Sequence, residues 1–400
     1  MKNKFFKEDE LKLLWPFYFA HLVLGIFMFH AAFMIPYFTG IGLTLAKIGF
    51  LLSAASLAPL LFEVPTGAIA DIFGRKFSVI LGIFLAGVLL TMIYFIQDFY
   101  LLFILFFLLG AIGTLQSGAY DAWIIDLLKF NKKKKLIQDY YSKSASFMSI
   151  GLFISGFLGA FFVSKYGLSS IWLVSGTATI LNAFIFLIAK EHFVRRKSTI
   201  GKQIKKTIKY SKDAVKYSFK HPTIRILLFI GFIGVIAGFF SSMITWYPYL
   251  QNLGFKDAWF GYLLSGTFAL GIFSPFLVKS FVKKTGGYKK YLLFLTFLSA
   301  IFVALIVFAN TLMTALILFL ILTFIGFIYG PADRTFFQSF VPSKMRATIN
   351  SFSSMWVSIP AIITPPLAGF IADKITPQYT IALSAIILIP IMILFTKIKN

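Results

Sequence analysis

The chain reads GAIADIFGRK over Gly67–Lys76. This polar turn separates two apolar runs, 46–68 and 77–97. Each run is close to the roughly 20 residues that a helix needs to cross a bilayer. The pattern therefore predicts two membrane-spanning helices joined by a short loop. The bases Arg75 and Lys76 predict that this loop is cytoplasmic, because Lys and Arg accumulate on that side of a membrane.

The composition of the whole chain is also that of a membrane protein. Of its 400 residues, 59% are hydrophobic and 13% are charged, whereas soluble domains are about 45–50% apolar and roughly 25% charged. These values exclude a soluble or a disordered protein. Because the chain has no cysteine, disulfides, thiol catalysis and thiolate metal sites are excluded too, and we expect no cofactor and no metal.

Apolar runs bounded by glycine, proline and charge recur along the chain, and they predict an all-α membrane protein with twelve transmembrane helices. The first run follows a charged start without a small-residue cleavage site, so we expect it to be retained. The predicted spans are 14–38, 46–68, 77–97, 100–127, 142–164, 169–190, 224–250, 257–280, 290–309, 312–338, 347–372 and 378–396.

The distribution of bases sets the expected orientation. With a cytoplasmic N-terminus, 33 of the 38 Lys and Arg residues fall in cytoplasmic segments, four fall in outer loops, and Arg334 lies within a span. This asymmetry predicts that both termini are cytoplasmic. It also accounts for most of the net charge of +24, so nucleic-acid binding is not needed to explain the excess of bases.

The orientation can be tested with single cysteines, since the chain has none of its own. A cysteine in place of Lys134 is expected to react only with a reagent that reaches the cytoplasm. A cysteine in place of Lys256 is expected to react from outside intact cells. Labelling of both positions from the same side would contradict the twelve-span topology.

The longest predicted loop, 191–222, is strongly basic and divides the chain into predicted domains 1–190 and 223–400. Apolar residues recur along it at helical spacing, with lysines between them. This pattern predicts an amphipathic helix on the inner membrane surface, where anionic lipids attract lysine. A solvated linker is the alternative. The apolar positions are Ile200, Ile204, Ile208, Val215 and Phe219.

The two domains repeat each other in sequence. PYFTGIGL (Pro36–Leu43) matches PYLQNLGF (Pro248–Phe255) at an offset of 212 residues, as do GFLLS with GYLLS and GAYD with GPAD further on. Ser155–Lys165 parallels Thr364–Lys374 at an offset of 209. The matches predict two six-helix repeats in the same orientation. Paired repeats of this kind are a transporter architecture, with the substrate held near mid-membrane at their interface.

The turn GAIADIFGRK and the preceding EVPT (Glu63–Thr66) resemble the signature between spans two and three of the major facilitator superfamily. The resemblance implies alternating access, with this loop as a latch on the cytoplasmic side. In physical terms, Gly67 would allow close helix approach and Gly74 a tight turn. Asp71 would complement a helix N-terminus. The predicted latch residues are Gly67, Asp71, Gly74, Arg75 and Lys76.

The second repeat carries Lys283 and Gly287 where the first has Asp71 and Arg75, which predicts an asymmetric latch. Around Gln116, the residues Gly113 and Ser117 depart from the pattern of drug/proton antiporters in the superfamily. This departure weakens that narrower assignment.

Charged residues inside spans are costly and usually functional. We therefore expect the coupling or gating residues among Glu63, Asp121, Asp333 and Arg334, with a structural hydrogen bond or ion pair as the alternative role. An Asp121–Arg334 pair is a hypothetical cytoplasmic gate. Asp126 is a predicted ion-pair partner of Arg75.

In the superfamily, spans one, four, seven and ten line the cavity. The pathway candidates on these spans have packing within the protein as the alternative role. They are His30, Gln116, Tyr120, Ser242, Thr245, Trp246 and Tyr329.

Together these features predict a secondary active transporter of the cytoplasmic membrane that is not an enzyme. The expected substrate is a small hydrophobic or amphipathic molecule, exported with protons as the coupling ion. Nutrient uptake and a non-transporting sensor or scaffold are the alternatives. The chain has no GxxxxGK[ST] pattern, so it does not carry its own ATPase. We expect a monomer whose central loop meets anionic lipid.

Overall fold

The computed structural model describes residues 6–7, 9–192, 215–342 and 345–398, and this part of the chain contains helices and no strand. The helices of the first repeat are α1 (Glu10–Phe27), α2 (His30–Gly40), α3 (Leu45–Phe73), α4 (Arg75–Ile93), α5 (Phe99–Phe130), α6 (Leu136–Tyr166) and α7 (Ser170–Ile188).

The second repeat has the same order of helices. They are α8 (Pro222–Phe240), α9 (Met243–Asn252), α10 (Trp259–Lys284), α11 (Tyr288–Ala304), α12 (Leu312–Phe340), α13 (Arg346–Lys374) and α14 (Pro377–Lys397), with a 3₁₀ turn over Leu305–Phe308. Among the described residues, eleven helical stretches are long and apolar enough to cross a membrane. The remaining predicted span, 257–280, coincides with α10.

The helix boundaries follow the repeat seen in the sequence. Helix α1 begins at Glu10 and α8 begins 212 residues later at Pro222. Spans one and seven are each broken near the middle, at residues 28–29 and 241–242, within one residue of matching positions. Matching interruptions in two repeats are typical of helices near a transport pathway.

By residue contacts the described chain forms two units that do not coincide with the two repeats. The first unit contains residues 6–37, 57–192 and 257–268, and the second contains the remainder. The start of α3 therefore belongs with helices of the second repeat, and the start of α10 belongs with helices of the first.

Each unit has an apolar core of its own. In the first unit Phe17 of α1 lies fully buried against Trp123 of α5 and Phe186 of α7. In the second unit Leu292 of α11, Ile325 of α12 and Phe395 of α14 lie in one buried cluster. Burial of such side chains contributes about 1.5–3 kcal/mol each in water; in lipid the gain comes from close packing instead.

The predicted amphipathic helix falls largely outside the described residues, including Ile200, Ile204 and Ile208. Residues 215–220 are helical. Phe219, expected to face the membrane surface, instead packs its ring against Trp356 and Phe352 of α13. At this end the linker is therefore joined to the second unit.

Candidate functional site

The turn between α3 and α4 is a tight corner. Gly74 has a φ of +103°, a conformation that residues with a Cβ rarely adopt. Helix α4 begins directly after it at Arg75. The Arg75 guanidinium donates to the Ala122 carbonyl at 2.6 Å and forms an ion pair with Asp126. The Arg75–Asp126 pair predicted from the sequence is therefore present, and it ties α4 to α5.

Lys76 and Glu191 cap each other's helices at the same corner. The Lys76 ammonium donates to the carbonyls of Leu187 and Ala189 at 2.8 Å, where α7 ends. The Glu191 carboxylate accepts from the Lys76 backbone amide at 2.9 Å, where α4 begins. Each charge has the sign that the adjacent helix end favours. The sequence placed Glu191 in the linker, so its role in this corner was missed.

Gly67 does not have the close-packing role expected of it. Gly67 is exposed, and a Cβ added there would meet no described atom within 4 Å. Asp71, one turn further along α3, is half-buried. The turn thus has two parts. Gly74, Arg75 and Lys76 form the corner where α4 begins and where it contacts α5 and α7. Gly67 and Asp71 precede this corner on the last turns of α3.

The four coupling and gating candidates lie in different surroundings. Glu63 and Asp121 are exposed in the first unit. In the second unit Asp333 is half-buried and Arg334 is exposed. The repeat-equivalent aspartates Asp121 and Asp333 therefore differ in how far the protein covers them.

Most pathway candidates of the first unit pack inside that unit. His30 lies against the Trp172 ring with centroids 5.8 Å apart, and its Nδ1 has no partner among the described residues. Gln116 is packed on α4 beside Gly82, where an added Cβ would lie 2.7 Å from the Gln116 Cγ. These contacts favour the packing alternative for both side chains.

The candidates of the second unit cluster at the break in span seven. The Ser242 hydroxyl accepts from the Ile244 amide and so caps α9. Thr245 donates to the Phe240 carbonyl at 3.0 Å, and the indole of Trp246 donates to the Ser241 hydroxyl at 3.0 Å. These residues stabilise the interruption. On α12, Tyr329 is half-buried.

Two serine-rich faces were missed in the sequence. On α6, Ser142 and Ser146 are exposed and Ser149 is half-exposed; on α13, Ser351 and Ser354 are exposed and Ser358 is half-exposed. The pairs 142/351 and 149/358 are repeat equivalents. The spacing of three or four residues on both helices was the signal that could have revealed them.

A second polar cluster, also missed, joins α1, α5 and α6 in the first unit. Glu10 is fully buried, and its carboxylate accepts from the Lys143 ammonium at 2.5 and 2.7 Å and from the Tyr18 hydroxyl at 2.7 Å. In the same cluster, the hydroxyl of Tyr140 donates to the hydroxyl of Tyr120 at 3.1 Å. We call Glu10, Tyr18, His21, Tyr120, Tyr140 and Lys143 the polar cluster.

Each unit contains one glycine-lined seam, by which we mean a close contact between a helix of one repeat and a helix of the other. In the first unit, the Ser265 hydroxyl of α10 donates to the Phe153 carbonyl of α6 at 2.6 Å. In the second unit, Ser53 of α3 bonds the Ile362 carbonyl of α13. Ser53 and Ser265 are repeat equivalents, as are Phe153 and Ile362. Asp373 of α13 adds a feature of its own by accepting from the Leu45 and Ala46 amides at 3.0 and 2.9 Å.

Among the residues that the structure describes, no group of three or more His, Asp or Glu side chains is placed to hold a metal ion. The chemistry that these sites offer is hydrogen bonding and the movement of protons and charge, spread over helices that cross the membrane.

Known proteins share this arrangement. YxaM of Bacillus subtilis (strain 168), an uncharacterised MFS-type transporter, is 26% identical over 241 residues, which are 58% of this chain and 56% of YxaM. The MFS-type transporter MJ1560 of Methanocaldococcus jannaschii is 27% identical over 202 residues, half of each chain. The chain thus spans about half the length of these curated relatives.

Solved structures are similar over nearly the whole chain. The nucleoside transporter NupG superposes with a TM-score of 0.76 at 14% identity, covering 96% of this chain and 99% of NupG. A bacterial homologue of the human lysosomal transporter Spinster gives 0.74 at 13%, covering 98% and 97%. The sequence model of the Major Facilitator Superfamily matches residues 17–365. With its paired six-span repeats and its turn after span two, the chain belongs to this superfamily of membrane transporters.

Proposed function

We propose that this transporter exports a hydrophobic or amphipathic small molecule by alternating access, driven by the proton gradient. The observation that carries the proposal is the pair of serine faces on α6 and α13. Each helix exposes serines, two of them at matching positions, in the half of the span that is expected to be cytoplasmic.

The serine faces suit an amphipathic substrate. Ser146 and Ser149 donate to the carbonyls of Ser142 and Ala145 at 3.0 and 2.9 Å, and Ser358 donates to that of Ser354 at 2.9 Å. A hydroxyl that already bonds its own helix still offers a lone pair to water or to a polar group. The two serine faces can therefore bind water and also accommodate a largely apolar molecule.

Inverted membrane vesicles containing the protein test this function. Addition of the dyes Hoechst 33342 or ethidium should dissipate an imposed pH gradient, and the dye should accumulate only while the gradient is maintained. Vesicles without the protein are the control. Dye movement that is unaffected by collapse of the gradient would rule out proton coupling.

Uptake of a nutrient is the second candidate, favoured by the same hydroxyls. NupG is named as a nucleoside transporter, and hydroxyl-lined walls also suit polar solutes. Uptake of labelled uridine by intact cells separates the two candidates. Saturable uridine uptake without dye export would replace export by uptake, whereas binding of either compound without transport would favour a sensor.

We propose that the turn after span two acts as a latch through Asp71. Asp71→Asn is expected to reduce transport at least about fivefold, because a carboxylate near a helix N-terminus contributes roughly 1 kcal/mol. Expression and thermal stability should stay near those of the native protein. Gly74→Val is a poorer test, because Gly74 has φ +103° and lies close to Glu191. Native transport rates in Asp71→Asn would contradict the latch.

The proposed Asp121–Arg334 gate can be measured with a double-mutant cycle. Asp121→Asn and Arg334→Gln are each expected to favour the inward-facing state, and the double variant should be less affected than the sum. Both side chains are exposed, so we expect a coupling of about 1 kcal/mol or less. Maleimide labelling of a cysteine in place of Ser142 measures the fraction of molecules in the inward-facing state. Strict additivity would mean that the two residues do not meet.

A further inference from the structure

The polar cluster of the first unit has no counterpart in the second repeat. At the repeat offsets, each of its six polar residues corresponds to an apolar one. Glu10, Tyr18 and His21 of α1 correspond to Pro222, Ile230 and Ile233; Tyr120 of α5 corresponds to Ala332; Tyr140 and Lys143 of α6 correspond to Ile349 and Phe352.

At these equivalent positions the second repeat packs apolar side chains instead. Ala332 and Ile349 are fully buried, and Ile230 is 3% exposed. Replacing a buried ion pair by apolar residues is often neutral or stabilising. The first repeat therefore carries buried charges and hydroxyls that the fold does not require. Departures of this kind from local packing rules are expected at functional sites.

His21 is the titratable centre of the cluster. Its Nδ1 lies 2.9 Å from the Phe17 carbonyl oxygen and 3.2 Å from the Tyr120 hydroxyl. A carbonyl can only accept, so Nδ1 carries the hydrogen in the neutral ring, and the free lone pair lies on Nε2. Nε2 is then the atom that takes up a proton: the Nε2–H bond forms as an O–H bond of hydronium breaks, and water is released.

Aromatic and charged groups face His21 from α5 and α6. From α5, Tyr120 contacts the ring and the Asp121 carboxylate is near enough to act on it electrostatically. From α6, Tyr140 lies against the ring with centroids 6.4 Å apart and holds Tyr120. The other titratable groups in or beside the cluster are Glu10, Tyr18, Tyr141 and Lys143. Of these, Glu10 and Lys143 form an ion pair, so their charges cancel.

We propose that His21 is the proton-binding residue of the transport cycle. Tyr120 and Tyr140 position its ring, and the exposed Asp121 links it to water. Protonation makes the ring cationic beside Asp121, which draws α1 and α5 together. Deprotonation removes that attraction and so changes the balance between the two access states. This inference rests on the proposed proton-coupled function and names the residue that couples.

Transport in inverted vesicles tests the proposal with Hoechst 33342 as the probe. In His21→Asn, gradient-driven accumulation should fall at least about tenfold, while downhill flux stays within about twofold, because proton and substrate binding are no longer linked. Tyr120→Phe, which keeps the ring, should show a partial loss. His192→Asn, at the end of α7 and outside the cluster, is the matched control. Full coupling in His21→Asn would overturn the proposal.

Histidine NMR gives a readout that does not depend on any substrate. The chain has four histidines, and their labelled resonances can be assigned in nanodiscs by single substitutions. The Nε2 signal of His21 should change with pH as the ring takes up a proton, and Tyr120→Phe should change that titration. A His21 signal that stays constant as the pH is lowered to the limit at which the protein stays folded would overturn the proposal even if transport is proton-coupled. Absence of gradient-driven transport in the native protein would instead refute the proposed function.

Discussion

Replacing Gly261 by alanine is expected to lower the free energy of unfolding by about 1–3 kcal/mol, because an added methyl group overpacks a closed seam. The same replacement at Gly266, five residues further along α10, is expected to raise it by about 0.5–1 kcal/mol, because alanine is the better helix former. The same glycine-to-alanine substitution is therefore expected to destabilise the protein at one position of α10 and to stabilise it at another.

The difference lies in what each added Cβ would meet. At Gly261 it would lie 2.2 Å from the Gly156 carbonyl oxygen and 2.9 Å from the Ala160 amide nitrogen, both backbone atoms of α6. At Gly266 it would meet no described atom within 4 Å. Backbone cannot rotate away as a flexible side chain does, so α6 and α10 must separate to admit the methyl group.

Thermal unfolding of the purified protein in detergent measures both effects. Gly156→Ala approaches the same seam from the other side, with its Cβ 2.0 Å from the Gly261 oxygen, and should match Gly261→Ala in sign. A stabilised Gly261→Ala, or equal losses at Gly261 and Gly266, would show that the seam is not closed in solution.

The seams also bear on transport, because each joins a helix of one repeat to a helix of the other. Gly49 of α3 approaches Pro365 of α13 just as Gly261 approaches Gly156. A transporter that alternates its access must open such contacts during its cycle. We therefore expect seam variants to change the distribution of states as well as stability.

The sequence predicted the helices and their repetition well, because both follow from local patterns. The predicted span 100–127 lies within α5 (Phe99–Phe130), and the predicted offset of 212 recurs in the structural boundaries. Apolar length is set by bilayer thickness, so it can be read without knowing any contact. The Arg75–Asp126 pair was also predictable, since both residues flank neighbouring spans.

The seams and the polar cluster could not be predicted, because they depend on which helix faces meet. Glu10 and Lys143 are 133 residues apart, and nothing local to either marks the other as a partner. His21 and Tyr120 likewise lie 99 residues apart, on helices whose facing sides the sequence does not fix. Alternation of charge between loops fixes topology, but it carries no information about rotation of a helix around its axis.

Lys143→Met is expected to destabilise the first unit strongly. Glu10 is fully buried and Lys143 is 13% exposed. Removing one member of a buried pair leaves an uncompensated charge, at a cost of about 3 kcal/mol, the low end of the usual range since Lys143 still reaches water. The Tyr18 hydroxyl and the Lys7 amide at 2.8 Å remain but carry no full charge.

The double variant Glu10→Met/Lys143→Met should recover most of that loss and unfold within about 1 kcal/mol of the native protein, because both charges are then absent. The second repeat supports this, since it packs Pro222 and Phe352 at the same positions. Lys133→Met is the matched control: its pair with Asp9 is exposed at 40% and 58%, so about 0.5 kcal/mol or less is expected. A double variant as unstable as Lys143→Met would mean that the ion pair itself holds α1 against α6.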